Sequence, residues 1–277
     1  MNTTLEWTSE TAFSVAGEPF TCGYHQSNEQ ALTVRKPPYL VTKMVELMDA
    51  AKPDLMMELG IAQGGSVALT SLAIDPEQLV AVELNGSRVD LLDAFLRRHD
   101  RKGRVHLHYG VDQSDRSRLA DIARTHFGHR GIDLIIDDAS HRLAATRASF
   151  ETLFPRLRPG GLYVIEDWSW QLATRRMCAK VEDALGPDDD RSAVAPRGSI
   201  VAVYLENANQ PPLERLAVEI LLAQATRTGA IASVRADADV CIVERGDVDL
   251  DPESFRIADY FVDYSDYRRI LDVESRP

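Results

Sequence analysis

A short apolar run leads directly into glycines in the stretch Leu55-Met56-Met57-Glu58-Leu59-Gly60-Ile61-Ala62-Gln63-Gly64-Gly65-Ser66. The apolar run predicts a buried strand. The glycines allow close approach of the backbone to a ligand and a helix start with free N–H groups. This order is typical of open α/β folds that bind nucleotides. The spacing fits neither a phosphate-binding P-loop nor GxGxxG, because Gly60 and Gly64 are four residues apart.

Strand and helix patterns alternate five times between residues 55 and 167. Apolar runs predict buried strands at 55–59 and 79–83, another from residue 135, and a last one at 162–166, and an alternating pattern predicts the third strand at 105–109, with helices between them. The alternation favours a parallel, doubly wound sheet, that is, a Rossmann-like α/β fold. Further helices are predicted over 39–51, 144–157, 171–184 and 213–226, and further strands over 200–205 and 239–244.

One domain is expected between two extensions. Residues 1–38 have mixed polarity and scattered aromatics, which predicts an N-terminal arm on the domain or on a neighbouring subunit. The domain covers 39–246, with an insertion at about 168–212, and 247–277 form a C-terminal tail with several aromatic residues that caps the active-site mouth or a subunit contact. The arm and the tail together favour a homo-oligomer.

Composition limits the partners of the protein. The 277 residues are 44% apolar and 27% charged, as in soluble globular proteins, and the net charge of −12 is spread along the chain. This charge disfavours nucleic acid or an anionic membrane as a partner and favours a small neutral or cationic substrate. The three cysteines are far apart, which favours reduced thiols. No signal peptide is visible, so a cytoplasmic location is expected.

Two predicted strands end in acids, in the stretches Ile135-Ile136-Asp137-Asp138-Ala139-Ser140-His141 and Val164-Ile165-Glu166-Asp167-Trp168. If both strands are parallel, these acids emerge at the same edge of the sheet. Carboxylate oxygens suit Mg²⁺, which keeps positions open for water or substrate oxygens. Because side chains alternate along a strand, Asp137 and Asp138 should point to opposite sides, and only one is expected to bind a metal ion directly.

Plainer interpretations of the same residues remain open. Asp137 and Asp138 can cap the following helix, and His141 can be a packed histidine. His106 and His108 share one face of the third predicted strand. No third ligand accompanies them locally, so a solvated or helix-covered face is favoured over a metal site.

The acid at the end of the second predicted strand, Glu83, lies 23 residues beyond Gly60. An acid at this place commonly hydrogen-bonds a ribose diol in nucleotide-binding βαβ units. An ordinary acid at a strand end is the alternative.

The segment from Glu58 to Gly64 resembles the first motif of class I S-adenosylmethionine-dependent methyltransferases. Further matches follow in the expected order: Glu83, Asp112-Gln113 after the third strand, the acidic end of the fourth, and Pro159-Gly160-Gly161 before the fifth. The resemblance implies S-adenosyl-L-methionine as the cofactor. The cofactor-binding residues implied are Glu58, Gly60, Gly64, Ser66, Glu83, Asp112, Gln113 and Asp137.

The two acidic stretches are similar to a narrower group, the magnesium-dependent macrocin and mycinamicin sugar O-methyltransferases and their cephalosporin hydroxylase-like and rhamnosyl O-methyltransferase relatives. This resemblance implies that Asp138, Glu166 and Asp167 bind Mg²⁺ and that His141 is the general base. The chain departs from the pattern at Ala139, at Val111 and throughout 168–212.

The expected activity is therefore metal-dependent transfer of a methyl group to a hydroxyl of a glycosylated natural product, in a sugar or vicinal diol. Three rival hypotheses are a metal-independent methyltransferase of the same fold, a nicotinamide-dependent oxidoreductase, and a non-catalytic cofactor-binding assembly partner.

Overall fold

A computed structural model describes residues 5–100, 102–172 and 210–261. Its centre is a seven-stranded sheet. The strands are β5 Leu55–Leu59, β6 Gln78–Glu83, β7 Val105–Tyr109, β8 Ile132–Asp137, β9 Leu157–Glu166, β10 Ile231–Ala236 and β11 Val240–Arg245. Their order across the sheet is β10-β11-β9-β8-β5-β6-β7. Strands β5 to β9 pair in parallel, and β11 and β10 add an antiparallel edge.

The strand order reverses beside β5. From β5 the chain moves outward through β6 to β7, and then returns to place β8 on the other side of β5. Such a reversal leaves a crevice at the carboxyl ends of the two central strands, where open α/β sheets bind their ligands. The ends of β5 and β8 are Leu59 and Asp137, which pair with each other in register.

Helices cover both faces of the sheet. One face carries α1 Pro38–Ala51, α2 Gly65–Ala73 and α3 Asp90–His99, and the other carries α4 Arg116–Phe127, α5 Leu143–Leu153 and α6 Glu214–Ala225. Each face has its own apolar core, because the strands are buried on both sides. The predicted doubly wound α/β fold is confirmed.

The predicted N-terminal arm is a small sheet. Its strands are β1 Glu6–Trp7, β2 Ala12–Val15, β3 Glu18–Cys22 and β4 Leu32–Val34, in that spatial order. Phe13 and Phe20 stack with ring centroids 5.6 Å apart, and Phe20 meets Phe95 of α3 at 5.9 Å. The segment is therefore part of the core on the α1–α3 face.

Some elements differ from the sequence prediction. Pro159-Gly160-Gly161, expected before the fifth strand, lie inside β9, which begins at Leu157, and no sequence pattern predicts β10. Phe255 and Ile257, in the predicted tail, are buried in the core beside α5 and α6. The predicted strand 200–205 and most of the predicted helix 171–184 lie outside the described residues. Across the described ranges, every helix is too short or too polar to cross a membrane.

Candidate active site

The glycine loop is residues 60–65, which follow β5, and the acidic loop is residues 138–141, which follow β8. The two loops are in contact where the strand order reverses. The Asp138 N–H donates to the Leu59 carbonyl at 2.9 Å. Gly60 has φ +100°, and a Cβ on it would lie 2.3 Å from the Asp138 carbonyl oxygen. Only glycine fits this conformation and this approach. The end of β5 is thus packed directly against the first residue of the acidic loop.

Three side chains converge at the edge of the sheet where β8 and β9 end. The His141 Nε2 atom lies 3.7 Å from Asp138 Oδ1 and 3.8 Å from Asp167 Oδ2. One ligand atom from each of the three residues lies within 4.8 Å of the others, so the group could hold a metal ion. Two carboxylates and an imidazole therefore form a compact group that is open to solvent on the Asp167 side.

The backbone is strained at two of these three residues. His141 has φ 52° and Asp167 has φ 49°, both in the left-handed region. Such conformations cost about 1–3 kcal/mol each and cluster at functional sites. Neighbouring contacts hold them: Trp170 Nε1 donates to the His141 carbonyl at 3.2 Å, and the Asp167 N–H donates to the Asp239 carbonyl at 2.8 Å.

Glu166, predicted as a metal ligand, lies outside this three-residue group. Its side chain is 2% exposed, and its Oε2 atom accepts a hydrogen bond from Lys36 Nζ at 2.7 Å. Lys36 also donates to Asp138 Oδ2. Sequence reasoning did not single out Lys36, which follows β4 and reaches the sheet edge from the N-terminal segment. Its only sequence signal is a cation two residues after the short strand β4.

Charges at the buried edge alter the ionisation of these groups. Burial alone would lower the pKa of Lys36, but Asp138 and Glu166 raise it, so the ammonium is held charged. Burial and the charge of Asp138 raise the pKa of Glu166. Burial also raises the pKa of Asp167, while His141 opposes that change. The site is therefore a dense set of acids that is only partly neutralised by Lys36.

The donor atoms fit a hard divalent cation. Asp138 and Asp167 present carboxylate oxygens at the exposed edge. The Oε1 atom of Glu166 is buried and has no hydrogen-bond partner among the described residues. A buried carboxylate oxygen without a partner is costly, and a cation would compensate it. Oxygen donors of this kind suit Mg²⁺.

Asp137 points away from this edge. Its Oδ1 atom accepts from Gln113 Nε2 at 2.6 Å, and its Oδ2 atom accepts from Ser149 Oγ at 2.7 Å and Tyr163 OH at 2.8 Å. Burial raises the pKa of Asp137 to about 6, and the hydrogen bonds from Ser149 and Tyr163 oppose that rise. Asp137 and Gln113, both predicted to contact the cofactor, are thus joined in an interior network.

The Glu83 carboxylate is hydrogen-bonded to the glycine loop. Its Oε2 atom accepts from the backbone N–H groups of Ile61 at 3.0 Å and Ala62 at 2.9 Å, and its Oε1 atom accepts from the N–H of Asn85 at 2.9 Å. The carboxylate therefore lies beside the loop that follows β5. Asp112 is exposed at the same edge, and hydrogen bonds from the backbone N–H and hydroxyl of Ser114 lower its pKa.

Glu58 and Ser66 face the protein interior. Ser66 Oγ donates to Glu58 Oε1, and Glu58 Oε2 is buried without a hydrogen-bond partner in the described ranges. Burial raises the pKa of Glu58 to about 7. Gly64 has φ 82° and is the N-cap residue of α2. Among the predicted cofactor residues, Gly60, Gly64, Glu83 and Asp112 thus lie at the loop edge, while Glu58 and Ser66 lie behind it.

The histidines of β7 form a separate group. His108 Nε2 and His126 Nε2 of α4 share a hydrogen bond at 2.8 Å, and the rings of His106 and His126 have centroids 4.4 Å apart. Helix α4 therefore covers this face of the strand, which agrees with the favoured interpretation. Within the described ranges these histidines do not form a group of three potential metal ligands.

Comparison with known proteins supports the resemblance. Residues 57–168 match the family described as "Methyltransferase domain". The chain is 51% identical over 79 residues to 8-demethyl-8-alpha-L-rhamnosyl tetracenomycin-C 2'-O-methyltransferase of Streptomyces olivaceus, which covers 28% of this chain and 19% of that protein. It is 54% identical over 56 residues to Mycinamicin VI 2''-O-methyltransferase of Micromonospora griseorubida, covering 20% and 13%.

A solved structure shares the fold. The S-adenosylhomocysteine-bound Podospora anserina methyltransferase PaMTH1 superposes with a TM-score of 0.51 at 16% identity, over 76% of this chain and 80% of that one. The matched segments span less than a fifth of the two relatives' own length. The family resemblance and the fold are confirmed, and they concern the domain rather than whole proteins.

Proposed function

We propose that this protein, whose residues 57–168 match the methyltransferase domain family, transfers a methyl group from S-adenosylmethionine to a hydroxyl oxygen of a glycosylated natural product, with the help of a divalent metal ion. The relatives named above are sugar O-methyltransferases by name. A sugar hydroxyl with a neighbouring hydroxyl is the acceptor we propose. A homo-oligomeric state and a cytoplasmic location stay predictions.

One observation carries the proposal. The glycine loop, where the methyl donor would bind, is packed against the acidic loop through Gly60 and the Asp138 carbonyl. Donor and acceptor would therefore meet within one crevice, which is the condition for direct transfer. Positioning of this kind can contribute roughly 7–11 kcal/mol to lowering a barrier.

His141 is suited to take the acceptor proton. Its Nε2 atom points to the same edge as the Asp138 and Asp167 carboxylates, and its backbone conformation is fixed by the contact with Trp170. As the C–O bond forms and the C–S bond breaks, the hydroxyl proton passes to Nε2 and the sulfonium becomes the thioether S-adenosylhomocysteine. Histidine is the side chain that most often serves as a general base in enzymes.

Asp138 and Asp167 are the residues proposed to hold Mg²⁺, with Glu166 as the third predicted ligand through its buried Oε1 atom, which has no hydrogen-bond partner among the described residues. A bound Mg²⁺ would supply a Lewis acid that lowers the pKa of the acceptor hydroxyl. The chain's own part is to orient the carboxylates and to keep Asp137 in its separate network.

Aromatic residues near this edge support a sugar acceptor. Tyr39 is 59% exposed at the start of α1, and its hydroxyl donates to Asp239 Oδ1 at 2.8 Å. The Asp239 carbonyl accepts the N–H of Asp167, so Tyr39 is tied to the acidic edge. Small-molecule sites commonly combine aromatic side chains with a few polar groups that fix the orientation of the ligand.

The test is a transfer assay with S-adenosylmethionine and a panel of glycosylated acceptors, with and without EDTA. We expect product that disappears in EDTA and returns with Mg²⁺. Activity that persists after exhaustive EDTA treatment supports a metal-independent methyltransferase. Calorimetric binding of NAD and none of S-adenosylhomocysteine supports an oxidoreductase. Unchanged biological function in Asp138→Ala and His141→Ala variants supports a non-catalytic role.

A further inference from the structure

A lysine from the N-terminal segment lies inside the acid cluster. Lys36 is 7% exposed, and its ammonium binds Asp138 and Glu166, which are 102 and 130 positions away in sequence. The three side chains come from the segment after β4 and from the ends of β8 and β9. The Lys36 ammonium therefore neutralises part of the negative charge of the Asp138 and Glu166 carboxylates.

Each carboxylate gives only one of its oxygens to this ammonium. Lys36 takes Oδ2 of Asp138 and Oε2 of Glu166. Asp138 Oδ1 lies 3.7 Å from His141 Nε2, and Glu166 Oε1 has no hydrogen-bond partner in the part of the chain that the structure describes. One oxygen of each acid is thus bound to a cation of the protein, and the other remains for a second cation.

The space on the inner side is too small for that second cation. A cavity lined by Lys36, Glu58 and Glu166 has a volume of about 20 Å³. This is room for about one water molecule and not for a hydrated ion. We therefore place the divalent ion on the exposed side, where Asp138, His141 and Asp167 converge.

We propose that Lys36 is the resident counter-cation of the acid cluster and competes with the divalent metal ion for Asp138 and Glu166, so that it sets the metal affinity of the site. The proposal rests on the proposed function, because it requires a divalent ion at this edge. Lys36 is a positioning residue in this scheme and does not touch the substrate.

Electrostatics determines the direction of the effect. Two cations that share the same carboxylates repel each other, and partial burial makes this repulsion stronger than in water. Loss of the ammonium would take a partner from the half-buried Asp138 and from the buried Glu166, and the loss is costly for the buried acid. A metal ion would then compensate both carboxylates, so its binding would become tighter and the folded state would depend on it.

The experiment compares the wild type with Lys36→Met by Mn²⁺ titration, followed by electron paramagnetic resonance, and by thermal unfolding in EDTA and in saturating Mg²⁺. We expect Lys36→Met to bind Mn²⁺ about tenfold more tightly. Its melting temperature should fall in EDTA and recover largely in Mg²⁺. Lys43→Met is the matched control, because Lys43 also pairs with two aspartates, Asp237 and Asp239, but at a more exposed place.

Equal or weaker Mn²⁺ binding by Lys36→Met, with a wild type that does bind Mn²⁺, overturns the inference and leaves the proposed function intact. A wild type that binds no divalent ion overturns the metal dependence itself and the inference with it.

If Lys36→Met does not fold, the wild type labelled with [¹⁵N]lysine provides the test. The chain has five lysines, so the ammonium signals can be assigned. Mg²⁺ should shift the Lys36 signal and leave that of Lys43 unchanged. A Lys36 signal that is the same with and without saturating Mg²⁺ overturns the inference.

Discussion

The carboxylates of Asp137 and Asp138 point to opposite sides of the end of β8. Asp137 accepts hydrogen bonds from Gln113, Ser149 and Tyr163 in the interior, whereas Asp138 faces Lys36 and His141 at the sheet edge. Two adjacent residues of the same type thus have different roles, because side chains alternate along a strand.

The interior role of Asp137 predicts a loss of stability in Asp137→Asn. The asparagine amide would bring a donor to a place where three donors already converge. A buried mismatch of this kind costs roughly 1–3 kcal/mol in the free energy of unfolding. Denaturant unfolding measures it, with Asp121→Asn on the exposed face of α4 as the control. Equal unfolding free energies for the two variants would contradict this role.

Contact between the two loops predicts that Gly60→Ala is damaging. The new Cβ would clash with the Asp138 carbonyl oxygen, and φ +100° is unfavourable for alanine. We expect a loss of at least about 1–3 kcal/mol in unfolding free energy, together with weaker binding of S-adenosylhomocysteine in calorimetry. Gly86→Ala is the control, because a Cβ there would meet nothing within 4 Å. The prediction fails if both variants behave like the wild type.

Much of the central sheet could be predicted from the sequence, because buried parallel strands are continuous apolar runs. The ends of β5, β6 and β8 then locate Gly60, Glu83 and Asp138 at one edge, since parallel strands share their direction. The alternation of side chains also gave the opposite directions of Asp137 and Asp138. These features depend on local pattern and on strand direction alone.

The rest depends on contacts between distant parts of the chain. Lys36 meets Glu166 across 130 positions, and no periodicity of the N-terminal segment indicates this. Gln113 follows a strand like a cofactor-contacting residue, but its amide turns inward because Asp137 and Ser149 offer buried acceptors. The N-terminal sheet was missed because its strands are short and mixed in polarity.

The hydrogen bonds of Glu83 predict a role in binding the methyl donor. Glu83→Ala removes the acceptor for the N–H groups of Ile61 and Ala62 and the predicted ribose contact. We expect the affinity for S-adenosylhomocysteine to fall about 10–100-fold, or about 1.4–2.8 kcal/mol. Calorimetry measures this change. Glu77→Ala, just before β6 and paired with Arg130 on the surface, should bind like the wild type. Unchanged affinity in Glu83→Ala would remove Glu83 from the cofactor site.

The position of His141 predicts that His141→Gln slows methyl transfer without weakening the binding of cofactor or metal ion. We expect the rate of methyl transfer at saturating substrates to fall about 10²–10⁴-fold, because the acceptor proton loses its base. The affinities for S-adenosylhomocysteine and Mn²⁺ should stay close to those of the wild type. His129→Gln, on an exposed turn after α4, is the control. If Mn²⁺ binding is lost with activity, His141 is a metal ligand and not the base.

The pair of His108 and His126 predicts a loss of stability in mild acid. Burial lowers the pKa of His126 to about 4, with His106 and His108 adding to the effect, from an ordinary value of 6.5. Between these two pH values His126 is protonated in the unfolded chain and neutral in the folded state. The free energy of unfolding should therefore decrease as the pH falls from 6.5 towards 4, with no contribution from His126 above 6.5.

Replacement of the histidine tests this assignment. His126→Gln should flatten the decrease in unfolding free energy over that pH range, because the titrating group is gone. His25→Gln is the control, since His25 contacts Thr21 in the N-terminal sheet, away from β7. Denaturant unfolding at several pH values measures the slopes. Parallel pH profiles for His126→Gln and the wild type would show that the decrease comes from other groups.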